Sequence, residues 1–251
     1  MSTSEPTPSP SADQPVLRLA VASDLHYGED GTDYIRFTEE LIEWLNATHE
    51  STPLDLVVLN GDLAHAARWL DDVRERLQDL RTTYAVVQGN HDEATEKQWQ
   101  RLWGHGFNHT VEVNGVRIVC PGTSNAAGDY VCADRSWLST ELDEAVDAPV
   151  IVAMHITPVA WTRHGIDCPS ITRLLGERRN VLAVLNAHDH DEYGIKTREG
   201  VPYLFGARAG GHWGTDFRGF RVLELFADRR IETHVTDGRR IRGSDSLPPR
   251  S

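Results

Sequence analysis

The sequence predicts an α/β domain in which mixed β-sheets carry helices on their outer faces. Three observations point there. Strand and helix patterns alternate from Val16 to Trp103, Asn114-Gly115 then separates two β segments, and the last third is β-rich with glycine punctuation. A chain of 251 residues suits one domain, and at this size roughly three quarters of the unfolded surface is buried. Residues 1–15 are mostly Ser, Thr, Pro and acidic residues, read as a disordered tail. The domain spans 16–242, and 243–251 reads as a flexible C-terminal tail.

Taken in order, Val16–Ala22 is a strand, and Thr32–His49 is a helix because Tyr34, Phe37, Leu41, Ile42 and Leu45 fall at helical spacing. Leu54–Leu59 follows as a buried strand, Ala64–Leu80 as an amphipathic helix, Tyr84–Val87 as a strand and Glu93–Trp103 as a helix. Thr110–Val113 and Val116–Val119 flank the Asn-Gly turn and form a hairpin. Ser136–Val146 returns to helix, and a short helix at Ile171–Leu175 lies between the buried strands Val150–Met154 and Val181–Leu185. Strands Tyr193–Thr197, Val201–Phe205, Phe220–Phe226 and Ile231–Val235 complete the chain.

Charge narrows the function classes. With 25 Lys and Arg against 38 Asp and Glu, the formal charge is −13, which argues against non-specific nucleic-acid or anionic-membrane binding. No apolar run approaches the roughly 18–20 residues that cross a bilayer, and no basic-then-apolar stretch marks the N-terminus. Cytoplasmic residence is therefore expected. Cys120, Cys132 and Cys168 are an odd number at unrelated spacings, so they read as buried or idle thiols rather than a disulfide framework or thiolate zinc site.

Polar, metal-competent residues stand immediately after strand after strand: Asp24 and His26, Asp62, Asn90-His91-Asp92, His155, and His188 with His190. In open α/β sheets the crevice beyond the carboxyl ends of strands is where sites form, so these segments can converge. Singly, Asp24, Asp62 and Asn90 read as helix caps, His155 as a core histidine and the 188/190 pair as a solvated loop. Together, imidazole and carboxylate suit Mn, Fe, Zn or Ni. Asp24, His26, Asp62, Asn90, His155, His188 and His190 are too many ligands for one tetrahedral ion, and two ions sharing a carboxylate fit better.

The ordered set Asp24-x-His26, Gly61-Asp62, Gly89-Asn90-His91-Asp92, His155 and Ala187-His188-x-His190 resembles the calcineurin-like metallophosphoesterase superfamily, with its pattern DxH, GD, GNH[D/E], H and GHxH. The resemblance runs from about Val16 to His190. It departs at Ala187, where the family usually has Gly, which puts the local turn in question rather than a ligand. It implies a four-layer α-β-β-α sandwich of two mixed sheets. It also implies that Asp24, His26 and His190 hold one transition-metal ion and Asn90, His155 and His188 a second, with Asp62 bridging. Mn or Fe is expected, with Zn and Ni as alternatives. Attack by a metal-bridging hydroxide is implied, with His91 stabilising or protonating the reacting oxygens and Asp92 orienting His91 or supporting it from behind.

The expected substrate is a small phosphate ester. A phosphodiester comes first, because compact members resembling this chain include the class III cyclic-nucleotide phosphodiesterase-like bacterial group; a phosphomonoester is the alternative. Other readings are a repair-type nuclease, which the acidity disfavours, and a non-catalytic scaffold, which predicts missing ligands. His65 and His164 with Trp161 are candidates for the substrate mouth, equally readable as packing or surface; the loop Gly210–Gly214 with His212 reads first as a turn with a packed Trp and second as a substrate rim, and Arg208 first as a solvated loop arginine and second as a phosphate contact.

Overall fold

The computed structural model describes residues 13–250; most of the expected N-terminal tail lies outside them. The chain builds β1 (Leu17–Ala22), α1 (Tyr34–Ser51), β2 (Leu56–Asn60), α2 (Leu70–Arg76), β3 (Tyr84–Val87), α3 (Glu96–Trp103), β4 (His109–Val113) and β5 (Val116–Cys120). There follow α4 (Arg135–Glu144), β6 (Val150–Ala153), α5 (Pro169–Glu177), β7 (Val181–Asn186), β8 (Ile195–Arg198), β9 (Val201–Phe205), β10 (Phe220–Leu225), β11 (Ile231–Thr236) and β12 (Ile241–Leu247).

Two six-stranded sheets result, ordered β12-β11-β10-β1-β2-β3 and β4-β5-β6-β7-β9-β8. Both are mixed. β1–β2–β3 and β5–β6–β7–β9 run parallel, while β10, β11, β12, β4 and β8 pair antiparallel. The side-chain period of two sorts each strand between two cores. In β1, Leu17, Leu19 and Val21 meet Ile118, Ile151 and Leu185 between the sheets, while Ala20 and Ala22 pack with Leu41 and Leu45 of α1. A third core joins Leu138 and Leu142 of α4 and Ile171 and Leu175 of α5 to Val150, Val152 and Val184. Helices, sheet, sheet and helices thus form the four expected layers.

Polar stitches cross between the sheets near the strand ends. Asn60 Nδ2 donates to the carbonyls of Met154 and Leu185 at 3.4 and 3.3 Å, and buried Arg221 donates to Phe205 and Tyr193 oxygens.

Several expectations change. The helix expected over Ala64–Leu80 is a short α2 with a 3₁₀ turn at each end, because His65 N–H donates to Tyr27 O and Ala64 N–H to Asp92, holding the chain extended through Ala66. The helix expected from Glu93 starts at Glu96. Glu93 lies in the left-handed region (φ 42°), and Thr95 with Gln98 forms a reciprocal capping box. The boundary expected at 242/243 falls inside β12, which pairs with β11 from Ile241 to Leu247. Finally, Cys132 and Cys168 form a disulfide, so only Cys120 is a free, buried thiol; the pairing spans 36 residues without any local spacing signal.

Candidate metal centre

Parallel strands of both sheets end at one crevice, and the loops leaving them are held in unusual backbone conformations. Asp24 (φ 56°), His26 (48°), Asp62 (50°) and His188 (68°) all adopt the left-handed region. Such a conformation costs of order 1–3 kcal/mol per non-glycine residue and persists only where the surroundings over-determine it. Here they do. Asp24 and His26 N–H groups donate to Gly61 and Asp62 carbonyls, both at 3.0 Å, so the first two loops continue the β1–β2 ladder past its end.

Two glycines are required by close approach. A Cβ on Gly61 would lie 2.3 Å from His155 Nδ1, and one on Gly89 would lie 2.1 Å from the Asp62 nitrogen. Ala187 is tolerated where glycine is usual, because the left-handed residue of that turn is His188 and not Ala187.

Every candidate ligand is buried: Asp24, His26, Asp62, Asn90, His155, His188 and His190. Asp24, His26 and His190 form one cluster and Asp62, His155 and His188 another, with ligand-type atoms of each cluster all within 4.8 Å of one another. His190 Nε2 is 3.3 Å from Asp24 Oδ1 and 3.1 Å from His26 Nε2. Between the clusters sits Asp62 Oδ2, at 3.2 Å from His155 Nε2, 3.7 Å from His26 Nε2 and 4.0 Å from His188 Nδ1. The other Asp62 oxygen accepts the His91 N–H at 2.8 Å.

Asp62 Oδ2, Asn90 Oδ1 and His155 Nε2 are buried without a hydrogen-bond partner. Buried polar atoms are rarely left so: without a cation Asp62 Oδ2 and His155 Nε2 can only face each other at 3.2 Å as an ion pair, and a shared cation would satisfy all three atoms. Outer partners choose which ring nitrogen stays free. His155 Nδ1–H donates to Asn60 O at 2.8 Å and His190 Nδ1–H to Trp213 O at 3.3 Å, leaving Nε2 of each facing inward. His188 Nε2 hydrogen-bonds the Tyr130 hydroxyl at 2.8 Å, leaving Nδ1 inward.

The electrostatics are those of a proton-filled cation site. Burial alone would raise the Asp24 and Asp62 carboxyls, yet the facing His190 and His155 hold both well below the carboxylate range. Burial opposes charge on His155 too, but the Asp62 carboxylate lifts it to about 9. Burial wins at His26, pushed down to about 3 despite both carboxylates. Imidazolium and carboxylate are forced together, and metal ions are the usual substitute for such protons.

His91 is half-buried at the mouth, stacked on His65 with centroids 4.8 Å apart and edge-on to His26 at 4.8 Å. Of the two roles expected of Asp92, orienting His91 or supporting it from behind, its contacts match the second. Its oxygens accept the N–H groups of Ala64 at 2.9 Å and Gly89 at 2.8 Å, so it ties the loops after β2 and β3 together from below. Burial and the nearby Asp62 charge push its carboxyl up to about 8.

Of the open candidates, His65 joins His26 and His91 in a third ligand-type cluster. His164 stacks on Trp213, which itself stacks on His190. Trp161 packs on Tyr203 instead. Arg208 spends its guanidinium on the Gly210, Gly211 and Thr215 carbonyls, and exposed His212 pairs with Glu29. Tyr130 was missed by sequence reasoning. Its signal was positional, since residues 121–134 also follow a parallel strand, β5, into the crevice.

Solved structures with the same fold include a dimetal phosphatase from Danio rerio (TM-score 0.73, 14% identity, 94% of this chain and 100% of that one). GAP50, the anchor in the inner membrane complex of Plasmodium, aligns with TM-score 0.65 at 14% identity over 94% and 89% of the two chains. A purple acid phosphatase from yellow lupin (Lupinus luteus) seeds gives 0.63 at 11% identity over 92% of this chain and 53% of that one. No curated protein matches the sequence significantly. The calcineurin-like phosphoesterase family model, however, matches residues 17–192, which hold every strand-end candidate ligand described above, and the chain belongs to that family.

Proposed function

We propose that this protein hydrolyses a small phosphate ester at a two-ion centre. Asp24, His26 and His190 would hold one ion and Asn90, His155 and His188 the other, with Asp62 shared between them. The observation that carries this reading is Asp62 Oδ2, unpartnered and lying within 4.0 Å of ring nitrogens from both clusters. The names of the zebrafish dimetal phosphatase and the lupin acid phosphatase support it. Mn or Fe suits the imidazole–carboxylate donor set, with Zn or Ni as alternatives.

Two bound ions would supply Lewis acidity toward phosphoryl oxygens and lower the pKa of a coordinated water to near neutrality. The chain does the rest. Asn60, Trp213 and Tyr130 fix the ring orientations of His155, His190 and His188, so the donors need no reorganisation. His91, at the half-exposed mouth, is placed to hydrogen-bond a phosphoryl oxygen and to give a proton to the leaving oxygen. Asp92 keeps that loop in place through backbone bonds. A phosphodiester of cyclic-nucleotide size is the first substrate reading and a monoester the second.

The test is elemental analysis of the purified protein, with the Mn-loaded form assayed on bis-p-nitrophenyl phosphate and p-nitrophenyl phosphate in parallel. About two ions per chain with faster diester cleavage is the expected result. Faster monoester cleavage would make it a phosphatase, and no bound metal would overturn the enzymatic reading.

A further inference from the structure

Outside the ligand clusters, the most unusual feature of this acidic chain is a basic cleft. Six guanidinium groups, of Arg36, Arg208, Arg218, Arg239, Arg240 and Arg242, line a cavity of about 520 Å³ against only three carboxylates, Glu40, Asp216 and Asp237. In a protein carrying −13 overall, this local excess is opposite in sign to the whole.

The cleft lies at the end of the first sheet that carries the ligand loops. It is formed by the start of α1, the segment entering β10 and the β11–β12 turn, and β10 enters antiparallel beside the end of β1. Gly211 lines it and backs onto the ligand histidines: a Cβ built on Gly211 would lie 3.1 Å from His190 Cε1 and 3.4 Å from His26 Cδ2. One backbone segment therefore separates the cleft from the candidate centre.

The protein's own carboxylates do not balance these cations. Arg36 is shared between Asp33 and Glu40, Glu40 also serves Arg218, and Asp237 serves both Arg240 and Arg242. Among the described residues, Arg239 has no carboxylate partner. Aromatic rings hold two of the guanidiniums flat, Arg218 over Phe37 at 3.8 Å and Arg242 over Phe217 at 4.9 Å. Arg218 and Arg242 already give N–H groups to Glu40, the Ala209 carbonyl and Asp237, so an oxyanion would be met by their remaining N–H groups together with Arg239, as arginine meets phosphate. The crowding is felt at Arg208, whose guanidinium is depressed first by burial and then by the Arg218 charge.

We propose that this arginine cleft is a second anion site that holds a further phosphate group of the substrate while the ester phosphate occupies the metal centre beyond Gly211. The proposal rests on the hydrolase reading above and narrows its substrate class to small phosphate esters, diester or monoester, that carry a second phosphate in place of a single-phosphate ester.

Two measurements separate the claims. In the first, chelator-treated protein is titrated calorimetrically with inorganic tripolyphosphate. Arg239 and Arg240 sit exposed on the β11–β12 turn, so R239Q/R240Q leaves the fold intact; R101Q/R135Q removes the same charge elsewhere. Binding at least about tenfold weaker in R239Q/R240Q and unchanged in R101Q/R135Q is expected. Equal binding by all three proteins overturns the site.

In the second, the Mn-loaded enzymes are compared on a nucleoside bisphosphate and the matching monophosphate. The wild type should favour the bisphosphate in kcat/KM by about tenfold or more, and R239Q/R240Q should lose that preference while its p-nitrophenyl phosphate rate stays. Arginine-dependent tripolyphosphate binding without a bisphosphate preference overturns the assignment to substrate and leaves a site for free phosphate. Absence of hydrolysis on every substrate defeats the hydrolase reading instead, and the titration still decides the cleft.

Discussion

Asp62 and Tyr130 both approach His188, one toward each ring nitrogen, and little else about them is alike. Asp62 is wholly buried in a left-handed conformation at the end of β2, its backbone laced to His26 and its carboxylate facing three histidines. Tyr130 is 40% exposed on a long loop and makes one side-chain hydrogen bond. The floor of the crevice is thus specified by backbone strain, burial and charge together, whereas the rim is held by a few contacts on loops. On the two-ion proposal a floor residue cannot change without disturbing the ion site, whereas a rim residue can, and the difference would separate the chemistry of the centre from its selectivity.

The sharpest way to break the comparison is at the floor. Asp62→Asn removes the charge that both histidine clusters face, and with it the carboxylate proposed to be shared between the ions. Bound metal should fall to one ion per chain or fewer, and turnover by roughly a thousandfold or more, measured by elemental analysis and steady-state kinetics on the same preparation. Retention of both ions would show that the two clusters are independent. His91→Gln lies one step outward. It should lower turnover by about a hundredfold, the low end for a proton-transfer group, with metal content unchanged. Equal metal loss in both variants would erase the line between ligand and mouth.

The same line explains what could be seen without a structure. The convergence of Asp24, His26, Asp62, Asn90, His155, His188 and His190 on one crevice was legible because metal-competent residue types stand at strand ends, and strand ends dictate place, so each short segment carries its own signal. The parallel strands were legible as continuous apolar runs, all buried as expected in β2, β6 and β7. Tyr130 was not, because its partner His188 is 58 residues away and no local pattern requires a tyrosine there. Nor was the way Asp92 supports the site: its backbone donors, Ala64 and Gly89, belong to loops whose approach only the assembled sheet defines. The arginine cleft draws on three segments that are ordinary when read singly.

Cys132–Cys168 is the strap of this rim, joining the Tyr130 loop to the start of α5. Closing a loop across 36 residues contributes about 2–4 kcal/mol, largely by restricting the unfolded chain. Reduction should therefore lower the thermal midpoint by several degrees while leaving metal content near its starting value. Thiol titration of the denatured chain should find one reactive thiol before reduction and three after; three beforehand would remove the strap. Such bonds persist in oxidising surroundings, which weighs against the cytoplasmic residence expected from the sequence.

The smallest expected effect is the most informative about how floor and rim connect. Tyr130→Phe keeps the ring edge-on to His188, centroids 4.7 Å apart, and deletes only the hydroxyl on Nε2. Losing a ligand's outer hydrogen bond typically costs 10–100-fold in metal affinity. Here the exposed position admits water as a replacement partner, so the loss should be under about tenfold. It should fall on the His155–His188 ion alone, read as one of two metal-binding steps weakening in a competition titration against a chelator. If both steps weaken equally, Tyr130 supports the whole crevice. If neither moves, water orients His188 as well as the phenol does, and the rim is free to vary without consequence for the ions.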